Sequence, residues 1–211
     1  MKHCGVLALA LAALLLSCSK YSITKEIQHG ALLSKFKNSG ILFRNTHNSP
    51  ISNDRLNASL IQWLGGYELK NSLKVIENAP ENIAICKSEF DRFVQFSEKD
   101  DLLYQKTRGI INRYLNENRE DLEALFDEHG LDSLVIYEID TAMSAELQFL
   151  DFGSMMLIID REYRIAYMDH QFNRYNTNEY DREVMQDNLL DQVNGRFLEL
   201  MQKLDYVKNK K

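Results

Sequence analysis

Cysteine, proline and tryptophan are scarce in this chain: three cysteines, two prolines and one tryptophan in 211 residues. Few cysteines exclude a fold stapled by disulfides, so a packed apolar core has to hold the domain. Few prolines exclude a proline-rich spacer. Positive charge is also in deficit, at 25 Lys and Arg against 31 Asp and Glu. An acidic chain without a basic cluster makes nucleic acid an unsuitable partner. The Lys208, Lys210 and Lys211 tail reads as a solvated end. The longest apolar run, residues 6–16, is about half the ~20 residues that a membrane-spanning helix needs.

That run organises the rest of the reading. It follows a short basic start (Lys2, His3) and precedes Ser17 and Cys18, the order of a secretory signal. Leu15, Leu16, Ser17 and Cys18 resemble the lipobox of bacterial lipoproteins, in which the signal is cut before a cysteine that carries diacylglycerol. The resemblance implies a signal peptide over 1–17, lipid attachment at Cys18, and a membrane partner reached through that anchor. One acyl chain binds marginally and two or more hold stably. The familiar sorting rule retains a lipoprotein in the inner membrane when Asp follows the cysteine. Ser19 stands there instead, which favours the outer membrane, facing the periplasm. Cys4 leaves with the signal and Cys18 is committed to lipid, so only Cys86 remains and no intrachain disulfide can form. Its apolar context predicts an inert core thiol.

Residues 18–39 read as lipidated terminus and tether with one weak amphipathic turn, and residues 40–211 as a single domain with a helical insertion at 81–117. Within the domain, Gly40 to Asn45 and Leu73 to Glu77 are short apolar strands. Between them Ser52 offers a helix cap, with Leu56, Leu60, Trp63 and Leu64 on one face and Gly65–Gly66 as a left-handed stop. The insertion reads as two helices broken near 106–109. Asn118 then caps a further helix that ends at Gly130. Leu134 to Ile139 is dense enough in apolar residues for a central strand. Met155 to Ile159 and Arg164 to Met168 form a hairpin, residues 172–181 a polar loop, and Met185 through Val207 one long helical stripe. The fold class is therefore α/β (α+β): a mixed sheet of about five strands with flanking helices, a helical insertion and a long C-terminal helix.

Three stretches carry a further resemblance. The strand, polar loop, helix and strand of residues 40–77 are similar to the opening of the superfamily holding the TolB amino-terminal domain, the curli secretion-channel lipoprotein and the penicillin-binding-protein activator lipoproteins. Gly130 to Val135 resembles that superfamily's entry to a strand, and the hairpin with one long terminal helix resembles its close. The resemblance implies an envelope protein acting on other envelope proteins. Residues 140–155 are too short for the curli channel's membrane-crossing hairpins, which argues against a pore.

His29, His47, His129 and His170 have no helical metal spacing, and no cofactor motif occurs. His129 suits a helix end and His170 a polar sheet surface. Glu138 and Asp140, two apart on one strand, could join Asp160 and Asp169 at one end of the sheet and supply an acid and a base for a periplasmic hydrolase. A small-ligand or lipid carrier would instead need an apolar cavity under residues 81–117. The leading reading is a non-enzymatic, lipid-anchored envelope protein that binds another protein in assembly, trafficking or regulation of wall or outer-membrane machinery. Its candidate contact residues are Arg174, Tyr175 and Tyr180, types enriched at binding hot spots.

Overall fold

The computed structural model describes residues 23–28, 35–45, 51–69, 72–77, 79, 83, 100–144, 149–176 and 181–209. In chain order they form β1 (Ile23–Gln28), β2 (Asn38–Asn45), α1 (Asn53–Gly65), β3 (Tyr67–Leu69), β4 (Ser72–Val75), α2 (Asp100–Glu117), α3 (Arg119–His129), β5 (Ser133–Ser144), β6 (Phe149–Asp160), β7 (Ile165–Asn176), α4 (Arg182–Lys203) and β8 (Val207–Asn209). Six strands make one mixed sheet in the order β1-β7-β6-β5-β2-β4, while β3 and β8 pair as a separate ribbon. The α/β class expected from the sequence is the one observed, and β5 is an interior strand as its apolar density predicts.

The layers follow from the connections. β2 runs parallel to both β4 and β5, so the crossover through α1 and the crossover through α2 and α3 leave in opposite directions. Right-handed crossovers of opposite direction lie on opposite faces of a sheet. One face accordingly packs Ile41, Phe43, Tyr137 and Met156 against Leu56 and Leu60 of α1 and Leu189, Val193 and Phe197 of α4. Phe197 sits edge-on to Phe43 with ring centroids 5.3 Å apart. The other face packs Leu42, Ile136, Met155 and Leu157 against Ile111 and Leu115 of α2 and Leu122 and Phe126 of α3. Gly40 lets this second layer close: a Cβ there would stand 2.5 Å from Leu131 Cδ1 and 2.7 Å from Ile76 Cδ1.

Several local expectations fail for identifiable reasons. The amphipathic turn expected in the tether is instead β1, an edge strand antiparallel to β7, so six residues of that segment are built into the sheet. The break expected near 106–109 does not occur: α2 is continuous through Gly109, because one interior glycine costs only about 1 kcal/mol. Ser52 caps α1 as expected, accepting from Arg55 N–H at 3.3 Å. Trp63 is nonetheless 37 % exposed, and Gly66 ends α1 in a right-handed conformation at φ −74°. Asn118 sits at the start of α3 without capping it, its side chain donating back to Tyr114 O at 2.9 Å. Gly130 does close α3 left-handed, at φ 60°. The terminal helical stripe ends at Lys203, and Val207 belongs to β8. Cys86 lies outside the described residues, and no described helix is long and apolar enough to cross a membrane.

Candidate functional site: a bulged strand, a buried ion pair and the projecting end of the sheet

β7 decides where the acidic residues go. Its pairing with β6 starts at Ile165 opposite Ile159, then jumps to Tyr167 opposite Ile158. Ala166 is the extra residue of a β-bulge, which resets the alternation of everything after it. Without it, Asp169 would stand opposite Met155, in one row with Glu138. With it, Asp169 is opposite Met156 and Tyr137, while His170 takes the place opposite Met155 and Glu138. Adjacent rows point to opposite faces. Glu138 and Asp169 are therefore on opposite faces of the sheet.

That corrects the acidic cluster expected for a hydrolase. Asp140 is two residues from Glu138 on β5, and so in the rows of the face away from Asp169. Asp160 is at the far turn, where its carboxylate accepts from Glu162 N–H at 3.0 Å, Arg164 N–H at 2.9 Å and Arg164 Nε at 2.7 Å. Along the ladder it is separated from the row of Asp169 by four residues of β6, about 13 Å. Asp160 closes a turn, and Glu138 and Asp169 are buried on opposite faces of the sheet. Among the described residues no three His, Cys, Asp or Glu groups stand together to hold a metal.

Asp169 has a different partner. It is fully buried and accepts from Arg196 Nη2 of α4 at 2.6 Å, while Arg196 Nη1 meets Glu199 at 2.8 Å. Burial works against the charge on Arg196, but the hydrogen bonds and charges of Glu199 and Asp169 outweigh it and raise its pKa. Two residues earlier on α4, Asn194 donates to Ser59 of α1 at 2.7 Å, tying the two helices of this layer together. Tyr137 donates to Val193 O at 3.4 Å, and burial pushes its hydroxyl far above the usual tyrosine range. The Asp169 end of this polar knot is sealed in an apolar layer while Glu199 stands 65 % exposed at its rim, and a carboxylate with no exposed surface cannot meet a substrate. It holds α4 in register over β7. Nothing in the sequence pairs Arg196 with Asp169, 27 residues apart.

His170, expected on a polar sheet surface, is 4 % exposed. Burial lowers its pKa to about 4. The imidazole is thus neutral at neutral pH.

Among the described residues, three strands run on beyond the body of the sheet. β2 leaves β5 at Ile139, and β1 begins opposite Phe172 of β7. Past those points the described strands are β5, β6 and β7, which continue to Ser144, Phe149 and Asn176. Arg174 and Tyr175, expected in a polar loop, are in β7, opposite Asp151 and Leu150. The loop expectation misses this because FNRYN is polar by composition, while its backbone completes a ladder. Cys18 and Tyr180 lie outside the described residues.

No protein-family model and no curated protein matches the chain in sequence. Among solved structures, the chain is similar to a PelC dodecamer from Paraburkholderia phytofirmans at 7 % identity, covering 82 % of this chain and 94 % of that one with a TM-score of 0.41. A single-substitution variant of the same PelC dodecamer gives 8 %, 82 %, 95 % and 0.41. At that distance no role is carried over. Within the insertion, Ile83, Ile111, Tyr114 and Leu115 are buried together with Leu122 and Phe126 of α3.

Proposed function

We propose that this chain is a bacterial lipoprotein, anchored in the cell envelope through Cys18, which acts by binding another envelope protein rather than by turning over a substrate. The observation that carries the reading is the order of residues 1–18: basic start, short apolar run, then Leu15-Leu16-Ser17-Cys18. Ser19 supports the outer membrane as its address, and the three-layer α/β body is a folded unit of the kind such an anchor tethers. Sealing of Asp169 and separation of Glu138 from it support a binding role over hydrolysis, since these two acids are buried on opposite faces of the sheet. A rigid body on a short lipid-bound leader positions a binding face at a fixed height above a membrane.

The test is metabolic acyl labelling of the wild type and of Cys18→Ala, with membrane fractionation and crosslinking in the same cells. Label on the wild type alone, loss of the variant from the membrane, and a specific crosslinked partner are expected. Label that persists on Cys18→Ala, or an unlabelled wild type free of the membrane, contradicts the reading.

A further inference from the structure

The short leader also fixes which end of the domain faces the bilayer. β1 starts at Ile23, opposite Phe172, and runs antiparallel to β7 as far as Gln28, opposite Tyr167. The chain thus enters the sheet at the end where β5, β6 and β7 project. Only Ser19, Lys20, Tyr21 and Ser22 separate Cys18 from Ile23. Fully stretched, that leader spans about 18 Å; as a flexible coil it averages about 12 Å.

Two lengths decide the orientation. From Phe172 to Asn176, β7 extends about 14 Å past the point where β1 begins. A coiled leader is shorter than this projection, and a stretched one exceeds it by only about 4 Å. In the opposite orientation the body from Phe172 back to Ile165, about 24 Å of strand, would have to fit between Ile23 and the bilayer. The leader cannot reach that far.

We propose that the projecting end of β5, β6 and β7 lies against the lipid surface that holds the Cys18 acyl chains. This rests on the lipid-anchor reading and adds an orientation to it. The residue types there suit a headgroup layer. Met143, Leu150 and Tyr175 share one row across the three strands; Phe149 and Arg174 occupy the neighbouring rows. Tyrosine settles at membrane interfaces, and arginine reaches phosphate while its stem stays apolar. Arg55 of α1 meets Gln186 and Asp187 of α4, so both helices start at this same end, where Val184 is 42 % exposed. The turn of Asp160 to Arg164, with its charged Arg161, Glu162 and Arg164, points away from the bilayer.

The test uses the full lipidated chain in phosphatidylethanolamine–phosphatidylglycerol vesicles with a Cys86→Ser background. A fluorophore is placed at Ser144→Cys or Asn176→Cys, and in a parallel sample at Glu162→Cys. A lipid bearing a shallow nitroxide is the quencher, and circular dichroism confirms folding. Quenching several-fold stronger at 144 and 176 than at 162 is expected. Protein that floats with the vesicles but is quenched equally at all three sites, or more at 162, overturns the orientation alone. Protein with Cys18 intact that does not float overturns the anchor, and the orientation with it.

Discussion

At the scale of single residues, the informative groups are the buried polar ones. His170 is nearly enclosed and held neutral, with a pKa of about 4 against 6.5 in an unfolded chain. Between those values the unfolded state binds the extra proton, so stability rises with pH across the window and falls as pH drops from 6.5 to 4. The expected loss is about 3 kcal/mol, flat below pH 4. His170→Gln should remove that acid limb from a plot of urea midpoint against pH; an unchanged limb counts against the buried neutral imidazole. Asp169 and Arg196 give a second test. Arg196→Met strands the buried Asp169 carboxylate in an apolar layer and should cost about 3–5 kcal/mol, whereas Asp169→Ala leaves Arg196 paired with Glu199 and should cost less. The double variant should cost clearly less than the two single costs together, and strict additivity in a denaturation cycle would contradict the pairing. None of this was legible in the sequence. The partners come from distant elements, and the one-residue bulge at Ala166 reverses the face on which Asp169 falls.

At the scale of elements, apolar density made β2, β5 and the hairpin readable, because the cores of those strands are buried on both faces by helices. β4 was readable although it is a half-buried edge strand. β1 was not readable. Ile23 and Ile27 are four apart, a helical spacing, and an edge strand gains its place by pairing with β7 rather than by apolar density. The outer half of β7 was hidden for the same reason. Glycines show how local geometry sorts one sequence signal into opposite effects. Gly130 is left-handed at φ 60°, whereas Gly195 sits inside α4 with nothing within 4 Å of its missing Cβ. Gly130→Ala should therefore destabilise by about 1–2 kcal/mol. Gly195→Ala should stabilise by about 0.5–1 kcal/mol. Thermal midpoints of the two variants should move in opposite directions, and movement in the same direction would contradict the assigned conformations.

At the scale of the whole molecule, the leader, the edge strand and the projecting sheet end form one chain of consequence. In the proposed arrangement a lipid at Cys18 would set the height of β1, and β1 is paired with β7. The rest of the body follows because α4 is locked to β7 through Arg196 and Asp169. Under the proposed orientation Arg174 and Tyr175, expected in a docking loop, would stand at the strand end nearest the anchor, and a binding partner would be met by the surfaces that face away from the bilayer. Everything in this arrangement depends on what the sulfur of Cys18 carries. Intact-mass and fragment analysis of the protein purified from its native membranes tests that directly. The account predicts a mature chain beginning at Cys18 with diacylglycerol on the sulfur, and a free thiol at Cys18 or a cut at another residue would contradict it.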